Sequence, residues 1–404
     1  MIVARKNTPL LSIIISTRNR QKYAISAITN IMSIPTTDIE LVVHDNSDSR
    51  NLEEYLRRNI NDTRLLYNYT STPSPMTFNW NTAIGLASGK YLCLIGDDDG
   101  INPEIIEATR WADINNIDAL KPTVRAIYYW PETQIKSLTT NGLLAISPFS
   151  GKVISPNPRA EMKKVVQTGG FKYLEMEIPK LYHGIVKREI LDQACSKTGS
   201  FCEGLSPDIS AALSVANFAK NVVSIDYPLT IAGVSKSSGS AQGARGELER
   251  NLEGAPLFKH YIGTYKWADQ VPRFYSAQTI WADSTVATLK ALERDDLLQD
   301  FNLPLLAAYC VAAHPKYTNI ILRDMYSNFQ KNNTNQFMGT LQFCYSLFIG
   351  PGLGLVKLMP KGFSILLGAD KRTRFSGVND IVEATNILTD YLRKNNKRFL
   401  DFVP

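Results

Sequence analysis

Three consecutive aspartates, Asp97, Asp98 and Asp99, stand directly after the apolar run KYLCLIG. Three adjacent carboxylates repel one another, and the nearby Cys93, Leu94 and Ile95 add a desolvation cost to each negative charge. A hard divalent cation, Mn2+ or Mg2+, relieves both, because it takes oxygen ligands and is commonly held by one or two carboxylates together with phosphate oxygens. There it would act as a Lewis acid on a phosphorylated group. In the extended backbone that follows a strand, Asp97 and Asp99 point to one side and Asp98 to the other. One of the pair can therefore hold the metal while its neighbour binds a ribose. A plain acidic turn capping the helix near Pro103 would need one carboxylate, not three.

Other residues with usable chemistry sit in comparable places. Thr17, Arg18 and Asn19 follow LSIIIS, and Asp45 with Asn46 ends IELVVHD. His183, in LYHG, could touch an acceptor or a leaving group, although a lone histidine beside a strand more often has a structural role. Lys236 and Arg245 flank the Gly- and Ser-rich SKSSGSAQGARGE. A mobile loop there could bring cations onto a diphosphate and exclude water; solvated loop charges are the plainer reading.

The elements that must position these residues alternate regularly. LSIIIS is a continuous apolar run, as expected of a strand covered on both faces. A helix is expected from about Arg20 to Met32, with Thr17 and Asn19 as capping candidates. IELVVHD, RLLYNY and KYLCLIG read as further strands, with helices at Leu52 to Asn59 and in MTFNWNTAIGLAS, where Gly89 is placed for a left-handed helix end. Pro103 opens the helix through Trp111. Such alternation predicts a parallel sheet with helices on both faces. Ligands of such sheets bind outside the carboxyl ends of the strands. Thr17-Arg18-Asn19, Asp45-Asn46 and the aspartate triplet should thus converge on one crevice. From Pro131 to Lys180 the pattern is irregular. LYHGIVKREILDQ reads as a strand entering a helix, SPDISAALSVANFA as a helix, and VVSIDYPLTIAG as a strand pair. Beyond about Leu248 the chain reads as mostly helical.

LSIIISTRNR, ELVVHDNSDS and NTAIGLASGKYLCLIGDDDG, in this order and spacing, resemble the N-terminal half of the inverting family 2 glycosyltransferases with the GT-A fold. The likeness is strong over about residues 10–110 and weaker to about 235. It implies an α/β GT-A catalytic domain over 1–245, followed by a mainly α-helical domain over 246–404 for acceptor, membrane or oligomer contacts. By position it assigns Thr17, Arg18 and Asn19 to the loop framing a nucleotide, Asp45 to the base, and Asp97 and Asp98 to the nucleotide side. Asp99 becomes the residue that holds Mn2+ or Mg2+ against the diphosphate. Asn81 joins the nucleotide-sugar contacts, although Trp80 stands where many members carry arginine. The general base of the family is an acidic residue at a helix start about a hundred residues further on, a place that Asp208 in GLSPDIS fits; Glu203 is the reserve. The resemblance thus implies transfer of a sugar from a nucleoside diphosphate, expected to be UDP-linked, to a hydroxyl of a glycan or lipid-linked glycan in bacterial surface-polysaccharide synthesis.

Composition is compatible with this. The 404 residues are 44% hydrophobic and 20% charged, ordinary for globular domains. Five scattered cysteines, none in a C-x-x-C pair, argue against a zinc site or disulfide framework and fit a reducing, cytoplasmic setting. The net charge of +6 suits an anionic substrate or membrane surface; no nucleic-acid motif accompanies it. No charge occurs between Lys331 and Lys357, but Gly350, Pro351, Gly352 and Gly354 interrupt the apolar stretch. Basic residues follow it, so a peripheral contact at the inner face of the cytoplasmic membrane and a buried helical hairpin both remain open, as does homo-oligomerisation. A dinucleotide fold would need G-x-G-x-x-G after the first strand, where STRNRQ stands. The alternatives are a sugar nucleotidyltransferase, for which Arg18 and Arg20 make only a faint basic loop, and a non-catalytic scaffold of a polysaccharide-assembly complex.

Overall fold

The computed structural model describes residues 8–72, 74–133, 141–245, 251–255, 265–332, 335–358 and 371–404, with backbone alone over 349–358. The end of the Gly- and Ser-rich loop beyond 245 and the basic residue Lys361 lie outside the described residues.

The expected alternation is present. It runs β1 (Leu11–Thr17), α1 (Gln21–Met32), β2 (Ile39–Asp45), α2 (Asn51–Asn59), β3 (Leu65–Tyr69), α3 (Met76–Leu86) and β4 (Tyr91–Ile95). After β5 (Gly100–Ile101) come α4 (Ile105–Ile114), β6 (Ala119–Pro122), β7 (Ala126–Tyr129), β8 (Leu143–Ile146), β9 (Val153–Ile154) and α5 (Pro158–Gln167). Then follow β10 (Ile185–Lys187), α6 (Arg188–Thr198), α7 (Pro207–Phe218), β11 (Val222–Ile225), β12 (Thr230–Val234) and α8 (Gly239–Ala244). The eight-stranded sheet has the order β3-β2-β1-β4-β10-β6-β11-β9. β1, β2, β3 and β4 pair in parallel, whereas β10 is antiparallel to both its neighbours. Ile13 and Ile15 enter one apolar core and Ile14 another, so β1 is covered on both faces as its unbroken apolar run requires. This mostly parallel sheet with helices on both faces is the α/β architecture that the alternation of strands and helices implies.

Two local expectations are corrected. Thr17 and Asn19 do not cap α1; the chain enters it at Arg20 without a side-chain cap, and Thr17 is used elsewhere. Gly89 is not a left-handed helix end, since α3 stops at Leu86 and passes through extended Ala87. Its lack of a side chain serves close approach instead: a Cβ there would lie 2.5 Å from the Ser12 hydroxyl oxygen. The supposed loop after β12 contains the short helix α8.

The later chain is mainly helical: α9 (Ala277–Ala291), α10 (Asp295–Leu298), α11 (Leu303–Ala313), α12 (Thr318–Lys331) and α13 (Gln336–Leu358). Their core, with Phe274, Leu306, Ile321 and Met325, is separate from that of the sheet. α7 joins the two parts. Its small Ser210 and Ala211 are buried, and the Thr288 hydroxyl of α9 donates to Ser210. The last segment turns back: β13 (Thr373–Ser376) pairs antiparallel with β8, and α14 (Ile381–Lys394) buries Ile381, Ala384 and Leu388 in the first core. Residues 373–404 therefore pack on the N-terminal sheet assembly, a return that no local pattern announces.

Candidate active site

The carboxyl ends of β1, β2 and β4 meet in one crevice. Thr17, the last residue of β1, donates its hydroxyl to Asp97 at 2.6 Å, and the amide of Asn46 donates to the Thr17 carbonyl. All three aspartates are buried. Arg20 supplies the missing positive charge. Its Nε lies 2.7 Å from Asp97 and its Nη2 2.8 Å from Asp98. Burial alone would lower its pKa, but the two carboxylates outweigh that and raise it. Arg20 also donates to the hydroxyls of Ser235 and Ser237, and Ser235 donates to Asp98, so the segment after β12 is tied to the cluster. Trp130 Nε1 holds the Asp98 carbonyl at 3.1 Å.

Asp99 is enclosed more completely. Its Oδ1 accepts from the amide of Gly233, and its Oδ2 from the amide of Gly96 and the hydroxyl of Tyr182. His183 Nε2 lies 3.3 Å from the same Oδ2, and its Nδ1 is 3.0 Å from Thr230 Oγ1. Burial, reinforced by Lys180, lowers the His183 pKa to about 4, so the ring is neutral at pH 7. Burial and then Asp98 push the Asp99 carboxyl upward. His183 thus orients Asp99 rather than reaching outward to an acceptor.

This donor set answers the metal expectation differently at Asp99. Both of its oxygens already accept from N–H or O–H groups, and an ion there would have to displace them. Among the described residues no group of three His, Cys, Asp or Glu forms a metal-ligand set. The cation demanded by three adjacent carboxylates is Arg20. Adjacent carboxylates do require a cation, and here the protein itself supplies it. As arranged, Asp99 does not fit a metal.

Other candidates fall into two groups. Arg18 lies 3.4 Å from Asp48, and Asn19, in the left-handed region at φ 57°, exchanges hydrogen bonds with the same residue. Both therefore brace the turn after β2. Asp45 is buried, accepting from the Ser47 amide and the Tyr67 hydroxyl. Asn81 spends its amide on the backbone of Cys202, tethering α3 to the loop before α7. Arg245 donates to the carbonyls of Thr133 and Lys236, and Lys236 itself is exposed. These contacts make Asn81 and Arg245 clamps.

Asp208 stands behind Pro207 at the start of α7, half-buried, and accepts from the hydroxyls of Ser206 and Tyr173. Lys180 lies over the Tyr173 ring, 5.3 Å from its centroid. Burial, together with Lys121, lowers Lys180 to about 8 while Asp208 and Glu177 oppose. Tyr182 stands beside the cluster and donates to Asp99. Burial raises its pKa most, followed by Asp99 and Asp98, with Asp208 also contributing. Glu203 accepts from Ser200, within the loop before α7. Sequence reasoning missed the roles of Arg20, Tyr182, Ser235 and Tyr173. For Arg20 alone there was a signal, its place in the loop after β1.

Residues 12–133 match the profile described as Glycosyl transferase family 2. The putative colanic acid biosynthesis glycosyl transferase WcaA of Escherichia coli (strain K12) is 35% identical over 100 residues, covering 24% of this chain and 36% of that protein. The chain therefore spans about a third of that curated relative. Among solved structures, S. aureus TarS aligns over 78% of this chain and 54% of its own, with 15% identity and a TM-score of 0.41. TarS 1-349 in complex with UDP-GlcNAc aligns over 80% and 92%, with 15% identity and a TM-score of 0.40.

Proposed function

We propose that the chain is a glycosyltransferase that moves a sugar from a nucleoside diphosphate, with UDP the expected carrier, onto a hydroxyl of a glycan or lipid-linked glycan acceptor, with inversion at the anomeric carbon. The supporting observation is the buried aspartate cluster at the end of β4, bound to Thr17 and Arg20 on one side and to Tyr182 on the other. The family of residues 12–133 and the name of the colanic acid relative support the class of product, a surface polysaccharide.

In this reading the nucleotide enters above Thr17 and Asp97, and Arg20 is the group able to exchange carboxylate for diphosphate oxygens. The acceptor oxygen attacks the anomeric carbon from the face away from the diphosphate. Its proton passes to Asp208, the bond from the anomeric carbon to the phosphate oxygen breaks, and the electron pair leaves with the diphosphate. Tyr173 and Ser206, by donating to Asp208, fix the orientation of the carboxylate. Residues 1–245 together with 373–404 form the catalytic unit, and the helices between them serve acceptor or surface contacts. Metal dependence is a matter for direct titration with Mn2+, since Asp99 would have to release its present donors.

Asp208→Asn tests the assignment of the base. Turnover is expected to fall about 10²–10⁴-fold, with nucleotide affinity unchanged within about twofold. An Asp208→Asn enzyme of normal turnover would remove Asp208 from the chemistry. Against the scaffold alternative stands the cluster itself, whose buried carboxylates are matched by a dedicated arginine.

A further inference from the structure

One cation close to Asp208 has no anion of its own. Lys180 stands in the turn before β10, half-buried between the buried Pro179 and Leu181. The turn is held firmly. The amide of Gly184 donates to the Leu181 carbonyl, and a Cβ on Gly184 would lie 1.9 Å from the Lys180 carbonyl oxygen. The Lys180 ammonium lies over the Tyr173 ring, 5.3 Å from its centroid, and the hydroxyl of that ring donates to Asp208. Among the described residues Lys180 Nζ makes no hydrogen bond and no ion pair. The carboxylates in electrostatic reach are engaged elsewhere. Glu177 holds Lys121 at 2.5 Å, and Asp208 accepts from Tyr173 and Ser206.

An ammonium group is a compact, strongly hydrated charge with three donors. Partly withdrawn from water with those donors unused, it is costly unless an acceptor group arrives. We propose that Lys180 binds an oxyanion, a phosphate or a carboxylate, carried by the sugar acceptor beside the hydroxyl that Asp208 deprotonates. Assigning the anion to the acceptor rests on the reading of Asp208 as the base. The fold gives the direction. Arg20 is committed to Asp97 and Asp98, whereas Lys180 and Asp208 meet on opposite parts of one side chain, the ring and the hydroxyl of Tyr173. Ile178 and Ile209, close in the chain to Lys180 and Asp208, pack with Tyr173 in one apolar cluster, so cation and base are fixed to the same core. An anionic acceptor satisfies the ammonium and a neutral one leaves it bare, so charge selects between them.

Burial and Lys121 bring the Lys180 pKa down to about 8, so near that pH the free amine can be acetylated. Acetylation of the full-length protein by N-acetoxysuccinimide at pH 8, read at each lysine by mass spectrometry, tests the site. The probes are inorganic phosphate, methyl glucuronide and methyl glucoside, with sodium chloride holding the ionic strength constant. At saturation at least one of the anions is expected to slow Lys180 by about fivefold or more, while methyl glucoside does not and the exposed Lys236 ignores all three. Protection by phosphate alone would identify a phosphorylated acceptor, and protection by the glucuronide alone an acidic sugar. No protection by either anion, equal protection by methyl glucoside, or a Lys180 that the reagent never reaches would overturn the proposal. Lys180→Met should keep the wild-type Tm and bind UDP within about twofold; a large loss of UDP affinity would place Lys180 on the donor side and overturn it too. The anion probes need no nucleotide. Protection in a protein that binds no UDP would therefore keep the oxyanion site and remove only the transferase reading.

Discussion

Arg20 carries the electrostatics of the crevice, with two buried carboxylates depending on one guanidinium. Arg20→Gln leaves them uncompensated, and removing one partner of a buried ion pair costs about 3–5 kcal/mol. Urea unfolding at pH 8 is expected to show a loss of this order, smaller at pH 5 because burial holds the Asp97 carboxyl above its ordinary range. A second buried acid gives a cleaner pH signature. Burial raises Asp283 to about 7 from its ordinary 3.8, although Tyr265 and the Ala268 amide hold it down. A raised acid adds stability that is complete below about pH 4 and is lost as the pH rises through 7. The loss is roughly 1.4 kcal/mol per pH unit while only the folded state keeps the proton. Thermal melts from pH 5 to 8 should fall accordingly, and Asp283→Asn should flatten the slope; an equal slope in both proteins would refute it. At this scale the aspartates and Thr17 were legible, because each ends an apolar run. The use of Arg20 was not, since its partners lie 77 and 215 residues away in the chain.

β12 places Gly233 against the cluster. Gly233 donates to Asp99, and a Cβ there would lie 1.9 Å from the Asp98 carbonyl oxygen. Gly233→Ala is therefore expected to displace Asp98 and Asp99, lowering nucleotide affinity at least tenfold with a fall in Tm. Gly239→Ala, with nothing within 4 Å, should leave both unchanged. Calorimetric titration of the two variants decides the matter, and parity between them would show that β12 does not position the aspartates. The elements from β1 to α4 could be read from the sequence, since buried parallel strands and amphipathic helices each leave a periodic signal. β8 and β9 could not: they have four and two residues, and β8 finds its edge partner in β13, more than two hundred residues on. Neither carries enough local pattern to declare itself.

The whole molecule closes through its C-terminus. Leu388 on α14 is fully buried in the first core, and Trp111 donates its ring N–H to the carbonyl of Pro404. Leu388→Ala is expected to cost about 2–5 kcal/mol in chemical denaturation, although the residue stands far along the chain from the sheet it covers. A loss under 0.5 kcal/mol would mean that the return of residues 373–404 does not hold the catalytic unit together. That return was hidden because an amphipathic helix reports one apolar face but not the surface that receives it. Only the assembled fold shows that the sheet carrying the crevice is covered by the far end of the chain. The decisive measurement is calorimetric titration of UDP, with and without Mn2+, into the wild type and Asp97→Asn. One saturable site, weakened at least tenfold in Asp97→Asn, is the expected result. A folded wild-type protein that binds no nucleoside diphosphate under either condition would contradict the donor site itself.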